Sequence, residues 1–133
     1  MFSPSMQRSV AGILIHQGKV FVAKRGPEGS FQGCWEFPGG KVEEGESDEA
    51  AIVREFDEEF GIEVRALRLL GESIFPHRGI DRVLAAWLID LAPFTRPQLL
   101  EHEEIAWAEA SELHGLELVD SDRDLLPFVL PLL

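Results

Sequence analysis

The sequence predicts an α/β or α+β fold in which a mixed β-sheet packs against helices. Strand-like apolar segments alternate along the chain with segments of helical periodicity, which is the first observation behind this prediction. The second is the length of 133 residues with a hydrophobic fraction of 45%, which suits one domain, residues 1–133, built on a buried core. The third is that no repeat or linker-like segment divides the chain.

The first part of the chain predicts a β-hairpin followed by loops. Residues 10–15 (VAGILI) and 20–25 (VFVAKR) have the composition of two paired strands, and Gly18 suits the turn between them. A glycine-rich loop is expected next, then a short extended segment and a second loop, at residues 26–33, 34–37 and 38–46.

A helix is predicted from Ser47 to Phe60. Ser47 suits the cap at its start, and Gly61 suits the left-handed residue just past its end. Four apolar residues fall on one stripe of this helix and should face the sheet: Ile52, Val53, Phe56 and Phe60.

The second half of the chain predicts three further strands and a terminal helix. The strands are expected at residues 64–74, 82–91 and 104–107. The helix should begin at Ser121, and Pro127 should kink or shorten it, because proline lacks the N–H that an interior helical position requires.

Charge and composition exclude several function classes. The formal net charge of −12 disfavours a nucleic-acid polymer as partner, because such interfaces depend on Lys and Arg. No apolar stretch is long enough to cross a bilayer, the N-terminus lacks the apolar centre of a signal peptide, and Cys34 has no second cysteine to pair with. A cytoplasmic protein without a membrane partner is therefore expected.

An acidic arc beside the apolar stripe is the main functional signal. The i, i+3 and i+4 spacing brings Glu55, Glu58 and Glu59 together on the predicted helix. A solvated acidic face is the simpler interpretation of a charge run. It is disfavoured here because like charges at i, i+4 cost roughly 0.2–0.5 kcal/mol per pair, and no lysine lies within the arc. A divalent cation would turn this repulsion into coordination, and carboxylates suit Mg²⁺ or Mn²⁺.

The stretch GKVEEGESDEAAIVREFDEEFGI, residues 40–62, resembles the Nudix box, Gx₅Ex₇REUxEExGU, where U is a bulky aliphatic or aromatic residue. Every defined position agrees, namely Gly40, Glu46, Arg54, Glu55, Phe56, Glu58, Glu59, Gly61 and Ile62. The segments GCWEFPGG and EHEEIAW are similar to the MutT-like branch of that family. This resemblance covers about residues 8–130 and implies a Nudix α/β/α sandwich, with a mixed sheet between helices.

The resemblance also implies roles for individual residues. Divalent cations would be held by the Gly39 carbonyl and by Glu55, Glu58 and Glu59. Arg54 would orient these glutamates, a role that suits its planar, fork-shaped guanidinium. Glu46, with Gly40 and Gly61, would support the loop–helix–loop structure.

A further acid matches the family pattern outside the box. Glu101, six residues before Trp107, corresponds to an extra acidic residue on a late loop and is either a metal ligand or the general base. The catalytic set is therefore Arg54, Glu55, Glu58 and Glu101, and either Glu55 or Glu101 would take the proton of the attacking water.

The family hydrolyses a nucleoside diphosphate linked to a further group, and a nucleoside triphosphate would yield the monophosphate and pyrophosphate. Metal ions would neutralise the phosphate oxygens and activate the attacking water. Three cations are candidates for binding the phosphates: Arg25, Lys41 and Arg78. A solvated surface position is the alternative for each of them. The histidines His77, His102 and His114 have no ligand spacing, so zinc is not indicated.

The nucleobase is the least determined part of the prediction. Relatives in the MutT-like branch act on 8-oxo-dGTP, or on CTP, dCTP or 5-methyl-dCTP. Asp122 falls where bacterial enzymes for oxidised guanine often have asparagine, and an ionised carboxylate would suit the amino group of cytosine. A protonated aspartate would still serve guanine, and helix capping is the alternative for Asp122. Phe37 could stack on the base or belong to the core.

Two other functions are compatible with the fold. One is a non-catalytic Nudix-like nucleotide-binding module, although such modules often lose glutamates that are all present here. The other is hydrolysis of ADP-ribose or a nucleotide sugar, although those relatives usually have additional N-terminal structure for dimerisation. The sequence leaves open whether the chain is a monomer or a homodimer.

Overall fold

The computed structural model describes residues 7–93 and 96–133. The described strands are β1 (Gln7–His16), β2 (Lys19–Arg25), β3 (Trp35–Glu36), β4 (Gly39–Lys41), β5 (Val64–His77), β6 (Ile80–Leu91) and β7 (His102–Ala108). The helices are α1 (Asp48–Phe60), α2 (Ala110–Leu113), α3 (Asp120–Arg123) and α4 (Leu126–Val129), followed by a 3₁₀ turn (Leu130–Leu132). None of these helices has the length and apolar character needed to traverse a bilayer.

The described strands form one mixed sheet, as predicted. Its main order is β3-β2-β1-β6-β5, with β4 paired to β1 and β7 paired to β2. β1 and β6 run parallel over eight residue pairs, from Gln7 with Arg82 to Leu14 with Ile89, whereas every other pair is antiparallel. Strand β4 lies within the segment 38–46 that was predicted as a loop, because its three residues pair with Ser9, Val10 and Ala11 across the sheet.

Both hairpins close with the backbone geometry that suits the twist of a sheet. Gln17 and Gly18 have φ values of 52° and 75° between β1 and β2, and Arg78 and Gly79 have φ values of 53° and 76° between β5 and β6. Two successive positive φ angles are characteristic of the type I′ turn. The second hairpin extends β5 three residues beyond its predicted end at Ile74.

Helices cover both faces of the sheet, which confirms the sandwich. Phe56 and Phe60 of α1 pack on Val10, Phe21 and other buried residues of one face. The approach is close because Gly12 has no side chain, and a Cβ there would collide with the Phe56 ring. On the other face, α2 to α4 and the segments between them bury Leu113, Leu118, Leu125, Leu126 and Val129 against the sheet.

Helix α1 has the predicted caps but a slightly different buried face. Ser47 Oγ accepts a hydrogen bond from the Ala50 N–H at 3.1 Å, and Gly61 adopts the left-handed conformation with φ of 65°. The prediction that Val53 faces the sheet is wrong, since 40% of this residue is exposed. Ala51 and Glu59 are buried instead, because the helix is rotated so that part of its acidic arc faces inward.

The C-terminal segment forms separate helical turns where one helix was predicted. α3 begins at Asp120, one residue before the predicted start, and ends at Arg123. Pro127 lies in the first turn of α4, where its missing N–H is tolerated. Interruption of the helix before Pro127 agrees with the prediction that this proline shortens it.

We expect Asp48→Asn to lower the free energy of unfolding by roughly 1–2 kcal/mol. Asp48 accepts hydrogen bonds from Arg8 Nε at 2.7 Å, Arg8 Nη2 at 2.7 Å and Trp87 Nε1 at 3.0 Å, which connect the start of α1 to β1 and β6. The Arg8 guanidinium lowers the pKa of Asp48. Its stabilisation is therefore complete above the ordinary aspartate pKa and is lost as the pH falls through the lower folded value.

Urea unfolding of the wild type and Asp48→Asn at pH 7 and pH 3 measures this effect. The two curves should converge at the lower pH. A difference between them that is independent of pH would contradict the ionic role of Asp48.

Candidate active site

A cavity of about 440 Å³ opens between α1, the strands β2 to β4 and the C-terminal turns. Eight residues predicted from the sequence line it: Arg25, Phe37, Gly39, Gly40, Glu55, Glu59, Glu101 and Asp122. Residues 26–33, predicted as a glycine-rich loop, contribute Gly26, Glu28, Ser30 and Phe31 to its wall. Sequence positions almost a hundred residues apart therefore meet around one cavity.

The other predicted residues lie outside the cavity lining. Arg54, Glu46 and Glu58 lie on or beside α1 next to the lining residues, and Gly61 caps the helix. Lys41 is exposed at the end of β4, and Arg78 occupies the β5–β6 turn. Among the described residues, the arginines that line the cavity are Arg25 and Arg82.

Arg54 connects the loop before α1 to the acidic arc. Its Nε and Nη2 donate to the two carboxylate oxygens of Glu46 at 2.8 and 2.9 Å, and Nη2 also donates to the Lys41 carbonyl at 3.0 Å. Its Nη1 donates to Glu55 at 2.8 Å and to Glu58 at 3.4 Å. The hydrogen bonds from Arg54 lower the pKa of Glu46 to about 2. One guanidinium thus orients three carboxylates of the motif.

The glycines of β4 allow Glu55 to reach the cavity. A Cβ at Gly40 would collide with the Glu55 carboxylate, and a Cβ at Gly39 would collide with the Val10 carbonyl. Gly40 therefore allows α1 to pack closely on β4, and Gly39 allows β4 to pair closely with β1.

Glu59 is the most deeply buried carboxylate of the arc, with 3% of the residue exposed. Burial, followed by the charge of Glu36 and the proximity of Glu55 and Glu101, raises its pKa far above the ordinary value. Its Oε2 atom is buried and has no hydrogen-bond partner among the described residues. A buried carboxylate surrounded by acids is costly unless a cation compensates it, so the donor set fits a hard divalent cation.

Glu36, which the sequence did not single out, and His102, which was set aside for its lack of ligand spacing, complete this cluster. His102 Nε2 lies 2.6 Å from Glu36 Oε2 and 3.5 Å from Glu59 Oε1. One ligand atom from each of the three residues lies within 4.8 Å of the other two. His102 directly follows Glu101, and Glu36 lies between the aromatic residues Trp35 and Phe37, so sequence spacing gave no indication that they meet.

Asp122, on α3, is buried in the wall of the cavity. Its Oδ2 accepts a hydrogen bond from the Phe37 N–H at 2.8 Å. Helix α3 has no side-chain cap, so the capping alternative does not apply to Asp122. Burial and the charge of Glu36 raise its pKa, which favours the neutral acid over the ionised form on which the cytosine argument depended. Phe37 belongs to the core and also lines the cavity.

Comparison with known proteins identifies the family. Residues 6–129 match the family model of the NUDIX domain. The chain belongs to the NUDIX family. It is a hydrolase, as its curated NUDIX relatives are named for hydrolytic activities.

Two of these NUDIX relatives are 35% identical to the chain. A protein of Mycobacterium tuberculosis named putative 8-oxo-dGTP diphosphatase 2 matches over 116 residues, which are 86% of this chain and 81% of the relative. The CTP pyrophosphohydrolase of Escherichia coli matches over 123 residues, 88% of this chain and 86% of the relative.

Solved NUDIX structures share the fold. The solution structure of the E. coli ORF135 protein has a TM-score of 0.85 and 34% identity, and covers 96% of this chain and 90% of its own. A crystal structure of a MutT NUDIX hydrolase from Burkholderia pseudomallei has a TM-score of 0.79 and 26% identity, with 93% and 98% of the two chains covered. These similarities confirm the fold class predicted from the sequence.

Proposed function

We propose that this NUDIX hydrolase cleaves nucleoside triphosphates to the monophosphate and pyrophosphate in a Mg²⁺-dependent reaction of the MutT type. The observation that carries the proposal is the buried Glu59 carboxylate with an unpartnered oxygen, beside Glu55 in a cavity that also exposes Glu101. Two 35%-identical relatives, named for 8-oxo-dGTP and CTP hydrolysis, support a nucleoside triphosphate as substrate. Such a reaction would serve the nucleotide pool of the cytoplasm.

The acidic residues of the site suit a hard cation. Glu55, Glu58, Glu59 and the Gly39 carbonyl would hold Mg²⁺, with Mn²⁺ as a substitute. When bound, the cation would neutralise phosphate charge and lower the pKa of the attacking water. Arg54 has a different role, because it holds Glu55 and Glu58 in place so that they need not reorganise during the reaction.

A carboxylate must accept the proton of the attacking water, and Glu101 is the better candidate. Glu55 is hydrogen-bonded to Arg54 and packed against Gly40. Glu101 lines the cavity, is exposed, and has no ion pair within the ranges 7–93 and 96–133. A free carboxylate at the cavity wall can reach a water without breaking an existing bond.

Two arginines in the cavity can bind the substrate. Arg25 projects from the end of β2 beside the acidic cluster and is placed to bind phosphate oxygens. Arg82 lies on the sheet face that carries Leu84, and its Nε is buried with no hydrogen-bond partner among the described residues. Lys41, exposed at the end of β4, and Arg78, in the β5–β6 turn, would contribute to the electrostatic attraction of the polyphosphate.

The base pocket supports a guanine base more than a cytosine base. With Phe37 N–H donating to one oxygen of Asp122, a neutral carboxyl group presents an O–H to the base, and that donor matches a carbonyl acceptor such as guanine O6. The net charge of −12 is unfavourable to a polymeric nucleic acid in the same cavity. A free nucleotide, bound by a monomer or homodimer, is therefore the proposed partner.

A hydrolysis screen with Mg²⁺ tests this function, with pyrophosphate measured for the triphosphates and AMP measured for ADP-ribose, whose cleavage releases no pyrophosphate. The substrates are the normal nucleoside triphosphates, 8-oxo-dGTP, 5-methyl-dCTP and ADP-ribose, compared by kcat/KM. We expect release of pyrophosphate from at least one triphosphate, with kcat/KM at least about tenfold above that for ADP-ribose, because one pocket contact is worth about 1–3 kcal/mol. Binding of triphosphates without turnover would instead indicate a binding module, and a preference for ADP-ribose would refute the substrate class.

A further inference from the structure

A β-bulge gives His102 its position in the site. Lys24 of β2 pairs with Glu104 of β7, but Arg25 pairs with His102, so Glu103 is the extra residue on β7. A bulge of this kind re-aims the side chains next to it. Glu103 and Glu104 are both exposed, whereas the side chain of His102 is only 6% exposed and packs against α1. The bulge therefore directs an imidazole into the active site.

His102 is held by stacking and by one short hydrogen bond. Its ring lies parallel to the Phe60 ring, with 5.1 Å between centroids and 13° between planes. Its Nε2 is 2.6 Å from Glu36 Oε2, and its buried Nδ1 has no partner among the described residues. The tautomer that satisfies this arrangement has the proton on Nε2, which donates to Glu36, and leaves an unused acceptor at Nδ1.

The opposite tautomer, in which Nε2 is a metal ligand, is less favourable. Nδ1 would then carry a proton, and metal-bound histidines normally donate that proton to a carboxylate or carbonyl. Here a buried N–H would be left without an acceptor, which costs more than a buried unused acceptor. The geometry therefore favours a hydrogen-bond donor over a zinc or cobalt ligand.

Glu36 connects His102 to Arg25 through hydrogen bonds. The second oxygen of Glu36 accepts from Arg25 Nη1 at 2.8 Å, and Arg25 Nε donates to the Ser30 carbonyl at 2.9 Å. These two bonds fix the plane of the guanidinium. Its Nη2 has no hydrogen bond within the described part of the chain and remains available to the cavity. The negative charge of Glu36 is unfavourable for the nearby Glu59 carboxylate. Orientation of Arg25 gives Glu36 a function that offsets this cost.

We propose that His102 is a positioning residue that acts through Glu36 to hold Arg25 in the orientation that binds substrate phosphate. This inference rests on the proposed function, because it concerns how that site prepares a cation for a triphosphate. Arg25 and His102 face each other across β2 and β7, and Glu36 reaches both from β3. An arginine fixed in advance loses less conformational entropy on binding than a free one.

A double-mutant cycle tests the proposal through ligand binding, independently of turnover. The variants are His102→Phe, which keeps the stack on Phe60 but removes the donor, His102→Gln, which restores a donor, Arg25→Ala, and the double variant of Arg25→Ala with His102→Phe. Calorimetry with Mn²⁺ present measures the affinity for α,β-methylene analogues of dGTP and CTP. His114→Phe, at an exposed position, is the matched control.

We expect His102→Phe to weaken analogue binding about tenfold in the wild-type background and less than about twofold when Arg25 is already alanine. His102→Gln should recover affinity to within about threefold of the wild type, and affinity for Mn²⁺ alone should be unchanged in all variants. Thermal melting of each variant identifies any that is unfolded, and if His102→Phe is unfolded, His102→Leu, which also lacks a donor, replaces it.

Three outcomes would overturn the inference. Equal losses in both Arg25 backgrounds would show that His102 does not act through Arg25. A loss of affinity for Mn²⁺ alone would place its action at Glu59, and a nitrogen-ligand signature in the Co²⁺ spectrum that disappears in His102→Gln would make it a metal ligand. If the wild type binds no triphosphate analogue, both the proposed function and the role of His102 are refuted. If the wild type binds the analogues tightly but the effects of the His102 and Arg25 substitutions are additive, only the role of His102 is refuted.

Discussion

Glu59→Gln should lower kcat for pyrophosphate release by about 10²–10³-fold and, at the same time, stabilise the metal-free protein. The loss of activity is expected because the amide has no negative charge with which to bind the cation. The gain in stability is expected because Glu59 is buried beside Glu36, Glu55 and Glu101, and burial raises its pKa. A neutral amide of the same shape removes that unfavourable charge.

The sign of the pH dependence follows from the direction of this shift. Above the ordinary glutamate pKa, the folded protein binds a proton at Glu59 that the unfolded chain does not, so wild-type stability falls as the pH rises. The advantage of Glu59→Gln should therefore be small near pH 5 and grow towards pH 8, where we expect roughly 1–2 kcal/mol, or about 3–6 °C in Tm. Added Mn²⁺ should stabilise the wild type and leave the variant unchanged.

Asp57→Asn is the matched control, because Asp57 is exposed on the same helix and its replacement removes the same charge. Scanning calorimetry at pH 5 and pH 8, with and without millimolar Mn²⁺, gives the four melting temperatures of each protein. If Glu59→Gln is less stable than the wild type in the absence of metal at pH 8, the buried Glu59 carboxylate does not destabilise the metal-free protein. Glu58→Gln should also reduce activity strongly, but with little gain in stability, since Glu58 is exposed.

Arg54→Lys is the second substitution with a large expected effect, a loss of about 10–100-fold in kcat/KM. Arg54 makes five hydrogen bonds, to Glu46, Glu55, Glu58 and the Lys41 carbonyl, through three nitrogens in one plane. A lysine ammonium keeps the charge but cannot reach these acceptors from one position. Glu55 and Glu58 would then be free to move, and binding of Mn²⁺ should weaken together with activity.

Arg65→Lys controls for the generic cost of this replacement. Arg65 forms an exposed ion pair with Asp90 at 2.9 Å and does not line the cavity. Pyrophosphate release and Mn²⁺ affinity of both variants, measured at equal fraction folded, separate orientation of the glutamates from a loss of stability. Wild-type kinetics in Arg54→Lys would mean that charge alone is required at this position.

Much of the site was accessible from the sequence because its main signal is local. The caps Ser47 and Gly61 and the spacing of Glu55, Glu58 and Glu59 act within a single helix, where residues three and four apart are neighbours whatever the rest of the chain does. The agreement of residues 40–62 with a family motif at every defined position also implied the sandwich and the hydrolytic class that the NUDIX match confirmed.

Local patterns were less reliable where long-range pairing decides the outcome. Residues 38–46 had only the character of a loop, yet β4 forms there because β1 offers an edge to pair with. The stripe on α1 was misjudged at Val53 because the rotation of a helix about its axis depends on what it packs against, here Gly12 and the β4 glycines.

The sequence by itself determined the family, the helix that carries the acidic arc and the kind of cation that suits it, since these follow from residue types at short, fixed spacings. Only the tertiary structure decided which carboxylate is buried, that Asp122 bonds to the Phe37 N–H, and that His102, Glu36 and Arg25 meet. Those relations depend on strand register and on one extra residue in β7. Register is fixed by contacts between distant segments, which no local pattern records.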